Sequence, residues 1–417
     1  MGVFKVEGGK KLSGELKVQG AKNSALPILA ATLLIKEKSV LHNCPDLTDT
    51  MAALKILVTL GCVCVRDEST VIVDATELAN YEISKELMRE MRSSVVFLGA
   101  IVSRMGKAVI TNPGGCELGP RPIDLHIAAL RRLGVIIEEK DDKIICTAPK
   151  GIVGAEIDLD FPSVGATENI IIAACISKGT TVIKNAAKEP EISDLADFLN
   201  RAGGRIKGAG SSTVVIEGVG KLCSTEHTVM PDRIVAATYL SAAAITGGQI
   251  NLKDCSAVNM MSIISFFSQI GCDVKSNGKD IYIKGKERYL PTSRVVTDVY
   301  PAFPTDAGPI VVPVFSRIDG MISIKETIFQ NRFRYIDELN KFGAKLELKD
   351  NVATSRGISK LTAANVKCTD LRGGAALVLA ALCSEGISTV SDTHHIERGY
   401  CDISGQLRIL GANISEV

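Results

Sequence analysis

Leu60-Gly61-Cys62-Val63 recurs along the chain as Leu133-Gly134-Val135-Ile136, Ala202-Gly203-Gly204-Arg205, Ile270-Gly271-Cys272-Asp273, Phe342-Gly343-Ala344-Lys345 and Leu410-Gly411-Ala412-Asn413. Each copy closes an apolar helical run and opens a strand-like one. Successive glycines stand 73, 69, 68, 72 and 68 residues apart, the signature of an internal repeat. Glycine fits this position because it accepts the left-handed conformation that ends a helix. A second helix-to-strand junction lies within the units, as in Met105-Gly106-Lys107, Lys178-Gly179-Thr180, Asp319-Gly320-Met321 and Glu385-Gly386-Ile387.

Working outward from the glycines, each copy reads strand, helix, strand, helix, strand, strand. In the second copy residues 123–133 form a helix, 135–139 and 143–147 paired strands, and 155–159 a crossover strand. The sixth copy stops six residues after Gly411, and its missing strands stand at the other end of the chain. There, Phe4-Lys5-Val6-Glu7-Gly8 through Val18 matches Ile281-Tyr282-Ile283-Lys284-Gly285 through Val296. The expectation is an α/β fold of two domains, each with three βαβαββ repeats closed around buried helices. Residues 22–230 form the first domain; 1–21 with 231–417 form a discontinuous second, and the two crossings favour a hinged cleft.

Composition narrows the function. Of 417 residues, 48 are basic and 47 acidic, a net charge of +1, which excludes the basic excess of chain-wide nucleic-acid binding. The longest uncharged apolar stretches, 25–35 and 373–383, are about half the roughly 20 residues a membrane span needs. Twelve cysteines lie scattered, mostly in apolar runs, as small buried hydrophobes do. No CxxC or His-x-x-x-His spacing supports zinc. A reduced, soluble, cytoplasmic protein is expected, with a monomer as its state.

Polar residues recur where each crossover strand enters its next helix. Lys22, Arg92, Ser163, Asp232, Asp306 and Arg372 each lie 28 to 35 residues past a repeat glycine, the chain being read as a circle for Lys22. Helix N-termini attract anions, and Asp and Ser there also serve as ordinary caps. Cations at that position oppose the helix dipole, so Lys22, Arg92 and Arg372 call for a negative partner. Pro113-Gly114-Gly115-Cys116-Glu117-Leu118-Gly119-Pro120-Arg121-Pro122-Ile123-Asp124-Leu125 reads as a loop whose exposed cysteine stands near a cation, the setting of a reactive thiol. The other eleven cysteines are expected to be buried, and His126 to pack or cap. Arg332 and Arg398 add planar forks suited to carboxylate and phosphate. A small ligand with several negative charges is implied.

In order and nearly end to end, these pieces resemble the enolpyruvyl transferases that act on UDP-N-acetylglucosamine. The matching segments are Gly20-Ala21-Lys22-Asn23, Met91-Arg92-Ser93-Ser94, the Cys116 loop, Pro162-Ser163-Val164-Gly165, Glu189-Pro190-Glu191, Pro231-Asp232-Arg233, Phe303-Pro304-Thr305-Asp306, Asn331-Arg332-Phe333, Asp370-Leu371-Arg372 and Arg398-Gly399-Tyr400. The resemblance implies an inside-out α/β barrel. It also implies transfer of enolpyruvate from phosphoenolpyruvate to the sugar 3-hydroxyl, without metal or organic cofactor, nucleic acid or membrane. On it, Lys22, Arg121 and Arg398 hold the donor phosphate and Arg332 and Arg372 its carboxylate, with Asn23 beside them. Cys116 is the general acid and Asp306 the base, with Lys22 and Arg398 in the catalytic set. Asn23, Arg92, Arg121, Pro122, Ile123, Asp124, Leu125, Phe161, Pro162, Ser163, Val164, Asp306 and Ile328 line the nucleotide-sugar site.

One departure falls beside the base. The family usually follows Phe-Pro-Thr-Asp with a bulky apolar residue and Gln, whereas Ala307-Gly308-Pro309 stands here. Two other readings stay open: 5-enolpyruvylshikimate 3-phosphate synthase, which shares the repeat architecture without the cysteine loop, and a paralogue that keeps the ligand site without turnover.

Overall fold

The computed structural model describes residues 2–91, 93–111, 123–357 and 360–417. The chain divides into two compact units, one of residues 2–19 with Pro231–Val417, the other of residues 20–111 with 123–230. Each has its own apolar core.

The six repeat glycines Gly61, Gly134, Gly203, Gly271, Gly343 and Gly411 all have positive φ, between 87° and 110°. A side chain would be strained at every one of them. In the second copy the helix runs Asp124–Arg132, the hairpin pairs Ile136–Lys140 with Lys143–Thr147, and Glu156–Asp158 is the crossover strand. All lie within a residue or two of the expected bounds.

Six four-stranded sheets result, three per unit, each with one parallel and two antiparallel pairings. In one, Glu156–Asp158 runs parallel to Thr180–Lys184, which pairs antiparallel with Thr213–Glu217. The sixth sheet closes across the termini. Val3–Glu7 lies antiparallel between Ile387–Ser391 and Asn413–Glu416, in the place Ile281–Lys284 fills two sheets earlier. Ser13–Lys17 then acts as the crossover strand, parallel to Gln249–Lys253.

Behind the sheets lie the helices that follow the crossover strands: α1 (Lys22–Ala31), α2 (Phe97–Met105), α3 (Val164–Cys175), α4 (Arg233–Thr246), α5 (Gly308–Val311) and α6 (Leu371–Cys383). They are apolar on all sides, and such helices are interior ones. Every residue of α4 is buried, as are ten of the twelve in α3. Sheets outside and helices within make each unit an inside-out α/β barrel. α5 is the exception in length. It is one turn long and passes into a 3₁₀ segment, Val312–Arg317, with Pro309 and Pro313 at the two starts. A proline supplies no amide donor to a helical ladder.

Among the described cysteines none is disulfide-bonded. The expectation that all but Cys116 are buried is corrected at four positions: Cys64 and Cys383 are half-buried, and Cys223 and Cys401 are exposed because they sit in connecting segments rather than in strands or helices. No described helix is long and apolar enough to cross a membrane.

Candidate active site

In the unit built on α1, α2 and α3, Lys22 opens α1 and is buried, with its ammonium 2.6 Å from the carboxylate of Asp49. The negative partner that a cation at a helix start requires is thus a side chain of the next helix, Thr48–Leu60. Asn23 beside it is exposed, and Ser24 donates its hydroxyl to Asp194. Asp194 also accepts the Met230 amide at 3.1 Å and meets His227 Nε2 at 2.9 Å. These contacts bind the start of α1 to the segment leaving the unit.

Ser163 caps α3 through the Ala166 amide at 3.3 Å. Phe161 is exposed and Pro162, Ser163 and Val164 are half-buried next to it. Ile123 precedes the helix that carries exposed Asp124 and half-buried Leu125. His126 of that helix is buried. Asn169 Oδ1 accepts the Gly99 amide, which turns its Nδ2 toward Val95 O and, at 3.0 Å, His126 Nδ1. Burial pushes the imidazole down to about 4, so it packs as a neutral ring. Arg92, Cys116, Arg121 and Pro122 lie outside the described residues. A pocket of about 500 Å³ beside Leu125 is lined by Arg132, Glu156, Asp158 and Asp160. Three carboxylates to one cation make it a poor seat for a phosphate.

Behind α3, Glu168 is buried and its carboxyl is pushed well above the usual range by burial, then by Glu191 and Glu189. Glu168 falls in the Pro162 to Asn169 segment that carries the family resemblance, whereas nothing in the local sequence marks Asp49 or Asp194. Their partners come from other helices, and only the fold brings them together.

The second unit holds the denser constellation. Asp232 caps α4 by accepting from the Ile234 and Val235 amides at 2.8 and 3.0 Å. Asp370 caps α6 in the same way, from Arg372 and Gly373 at 3.1 and 2.9 Å. Asp306 lies one residue before the cap position of α5, which is Ala307 and carries no side-chain capping bond. Its Oδ1 accepts from Arg332 Nη2, and its Oδ2 from Arg372 Nε and Nη2 at 3.3 and 3.2 Å. Both arginine side chains are 2% exposed and Asp306 is 29% exposed.

Chain chemistry explains the difference. Asp232 and Asp370 reach the amides two and three residues on. Three residues after Asp306 stands Pro309, which has none, and the Gly308 amide is taken by Thr305 O at 3.3 Å.

Those arginines are themselves fixed. Arg332 Nε donates to Thr305 O at 3.1 Å and its guanidinium lies over the Phe329 ring. Arg372 lies over Tyr400, whose hydroxyl pairs with Thr238 at 2.8 Å. Burial lowers the affinity of Arg372 for a proton, but Asp306, Tyr400 and Asp232 outweigh it and hold that affinity above the ordinary value. Buried Glu326 joins the pieces. One oxygen accepts from Thr305 Oγ1 at 2.9 Å, the other from the Ile328 and Phe329 amides at 2.7 and 3.0 Å. Arg398, half-buried, ends the 3₁₀ segment Thr393–Arg398. The turn after it is clasped by Gln19, which donates to Gly399 O at 3.2 Å and accepts the Cys401 amide at 3.0 Å.

Two buried guanidiniums focused on one partly exposed carboxylate make a seat for an organic acid beside a possible base. The family model described as EPSP synthase (3-phosphoshikimate 1-carboxyvinyltransferase) matches residues 6–407, and the chain belongs to this family of carboxyvinyl transferases. Among curated relatives, UDP-N-acetylglucosamine 1-carboxyvinyltransferase 2 of Caldanaerobacter subterraneus subsp. tengcongensis is 48% identical over 417 residues, the whole of both chains. UDP-N-acetylglucosamine 1-carboxyvinyltransferase of Finegoldia magna is 44% identical over 422 residues, 100% of this chain and 99% of its own. The fold is similar to that of the enolpyruvyl transferase NikO from Streptomyces tendae, with a TM-score of 0.90 at 24% identity, covering 100% of this chain and 99% of the other.

Proposed function

We infer that this protein is an enzyme that transfers enolpyruvate from phosphoenolpyruvate to the 3-hydroxyl of UDP-N-acetylglucosamine, releasing phosphate. The observation that carries the chemistry is the Asp306–Arg332–Arg372 cluster. The full-length relatives that bear this activity's name favour it over the shikimate reading.

In the addition step the sugar oxygen bonds to C2 of the donor, Asp306 takes the hydroxyl proton, and the Cys116 thiol gives a proton to C3. Elimination then breaks the C2–O bond to phosphate while C3 gives up a proton, restoring the vinyl group. A carboxylate within reach of a hydroxyl is a suitable base. Arg332 and Arg372 hold the donor carboxylate, and Lys22, Arg121 and Arg398 its phosphate, with Asn23 alongside. These fixed cations offset charge that moves onto the leaving group. Arg92, Arg121, Pro122, Ile123, Asp124, Leu125, Phe161, Pro162, Ser163, Val164, Asp306 and Ile328 receive the nucleotide sugar. The chemistry as written calls on no metal or organic cofactor. The reaction would serve cell-wall peptidoglycan synthesis in the cytoplasm, carried out by a monomer.

Phosphate release from phosphoenolpyruvate, measured with and without UDP-N-acetylglucosamine, tests the assignment. Sugar-dependent release with formation of the enolpyruvyl ether is expected. Release driven instead by shikimate 3-phosphate, or none with either acceptor, would overturn it.

A further inference from the structure

We propose that Asp306 occupies the seat of the donor's carboxylate, so that the base becomes free to act only when a carboxylate-bearing donor takes its place between Arg332 and Arg372. This makes Asp306 a specificity-determining residue as well as a base. It rests on the transferase reading above.

Three observations carry the proposal. First, both oxygens of Asp306 are engaged: Oδ1 by Arg332, Oδ2 by two nitrogens of Arg372. A carboxylate so held has little lone-pair capacity left for a hydroxyl proton, and the nearby positive charges favour its ionised form. Second, the arginines cannot follow Asp306 if it moves. Arg332 is tied to Thr305 O and stacked on Phe329, and Arg372 is stacked on Tyr400. Both are buried, so a departing Asp306 leaves two guanidiniums in low dielectric that demand another anion. Arg372 Nη1 already lacks a hydrogen-bond partner among the described residues, a buried donor that a second carboxylate would satisfy. Third, Asp306 reaches solvent where its partners do not: it is 29% exposed, against 2% for each arginine side chain.

The exchange replaces one carboxylate by another, so no net charge is buried. Its cost is the work of displacing Asp306, which lowers the apparent affinity for the donor by the fraction of molecules in which the seat is free. What it supplies is coupling. A phosphate ester without a carboxylate can reach the phosphate cations but leaves the base held, and the sugar hydroxyl is not deprotonated. Water meeting the site without donor faces the same held base.

The test compares two inert ligands at saturating UDP-N-acetylglucosamine. 2-Phospholactate has the donor's carboxylate and phosphate but no vinyl group to react; ethyl phosphate has only the phosphate. Calorimetric titration of Asp306→Asn should show 2-phospholactate bound about tenfold or more tightly than by the unsubstituted chain. Ethyl phosphate should change by less than about twofold, which also certifies that the variant is folded. An equal gain for both ligands would reduce the effect to overall charge and overturn the proposal, as would no gain for 2-phospholactate.

In the unsubstituted chain, the Asp306 carboxyl ¹³C resonance should move with 2-phospholactate and stay in place with ethyl phosphate. Identical responses would count against the exchange. Sugar-dependent phosphate release by the unsubstituted enzyme reports on the reaction itself, so the two readings fail separately.

Discussion

Asp370 and Asp306 stand at the entries to the core helices of neighbouring repeats, Asp370 in the cap position and Asp306 one residue before it, and make different contacts. Asp370 binds the first amides of α6 and is 6% exposed. Asp306 faces two buried arginines, one of which, Arg372, is held in α6 by that very cap. Between them the decisive residue is Pro309. By lacking an amide three residues after Asp306, it denies the carboxylate the bond that Asp370 and Asp232 make. The repeat thus supplies a frame in which one acid caps its helix and the other is held by buried arginines. The same contrast holds in the other unit, where Ser163 caps α3 while Lys22 projects from α1 onto Asp49.

The largest effect should separate the two acids by rate. Asp306→Asn should lower turnover by roughly 10²–10⁴, the usual value of a general base, and should also lower the unfolding midpoint, because buried Arg332 and Arg372 lose their anion. Retention of near-normal turnover would make Asp306 a structural residue like Asp370.

A second expectation concerns pH. His126 is held near 4 when folded, against an ordinary 6.5, so the unfolded chain binds the extra proton. Its contribution is fully present above pH 6.5 and is lost as pH falls toward 4, up to about 3 kcal/mol. Denaturant unfolding at pH 7 and pH 4.5 should show a smaller acid loss for His126→Gln than for the unsubstituted chain. Parallel losses would remove His126 as the cause.

Much of this frame was legible in the sequence. The six glycines were placed by spacing alone, because a left-handed helix end leaves few alternatives. The match of Phe4–Gly8 to Ile281–Gly285 revealed that the N-terminal strand completes the last repeat. The site was legible only in part. Residue type and position marked Lys22, Asp306, Arg332 and Arg372 as charged groups at helix starts, or near them, without showing that Asp306 binds both arginines. Asp49, Asp194 and Glu326 gave no signal, since an acid in a helix or just after a strand reads as a solvated charge until the fold buries it. Cys223 and Cys401 misled for the converse reason: cysteine is usually buried, but these two lie among polar neighbours such as Lys221, Ser224 and Asp402 in connecting segments.

Smaller effects should sharpen the contrast. Asp370→Ala should cost about 1 kcal/mol of stability and Asp370→Asn much less, because asparagine caps almost as well; thermal unfolding of the pair decides it. Equal losses would show that the negative charge, rather than the cap, is what α6 needs. Pro309→Ala restores an amide at the capping distance from Asp306. If that bond draws the carboxylate away for about 1 kcal/mol, turnover should fall about two- to fivefold, read from steady-state phosphate release. Unchanged turnover would acquit Pro309 of any part in keeping the base uncapped.

The most direct test of the exchange at Asp306 is a crystal structure of the chain with UDP-N-acetylglucosamine and 2-phospholactate bound together. The ligand carboxylate should lie between Arg332 and Arg372, with Asp306 turned off both and within hydrogen-bond distance of the sugar 3-hydroxyl. Asp306 still paired with both arginines while the ligand is fully bound would contradict it.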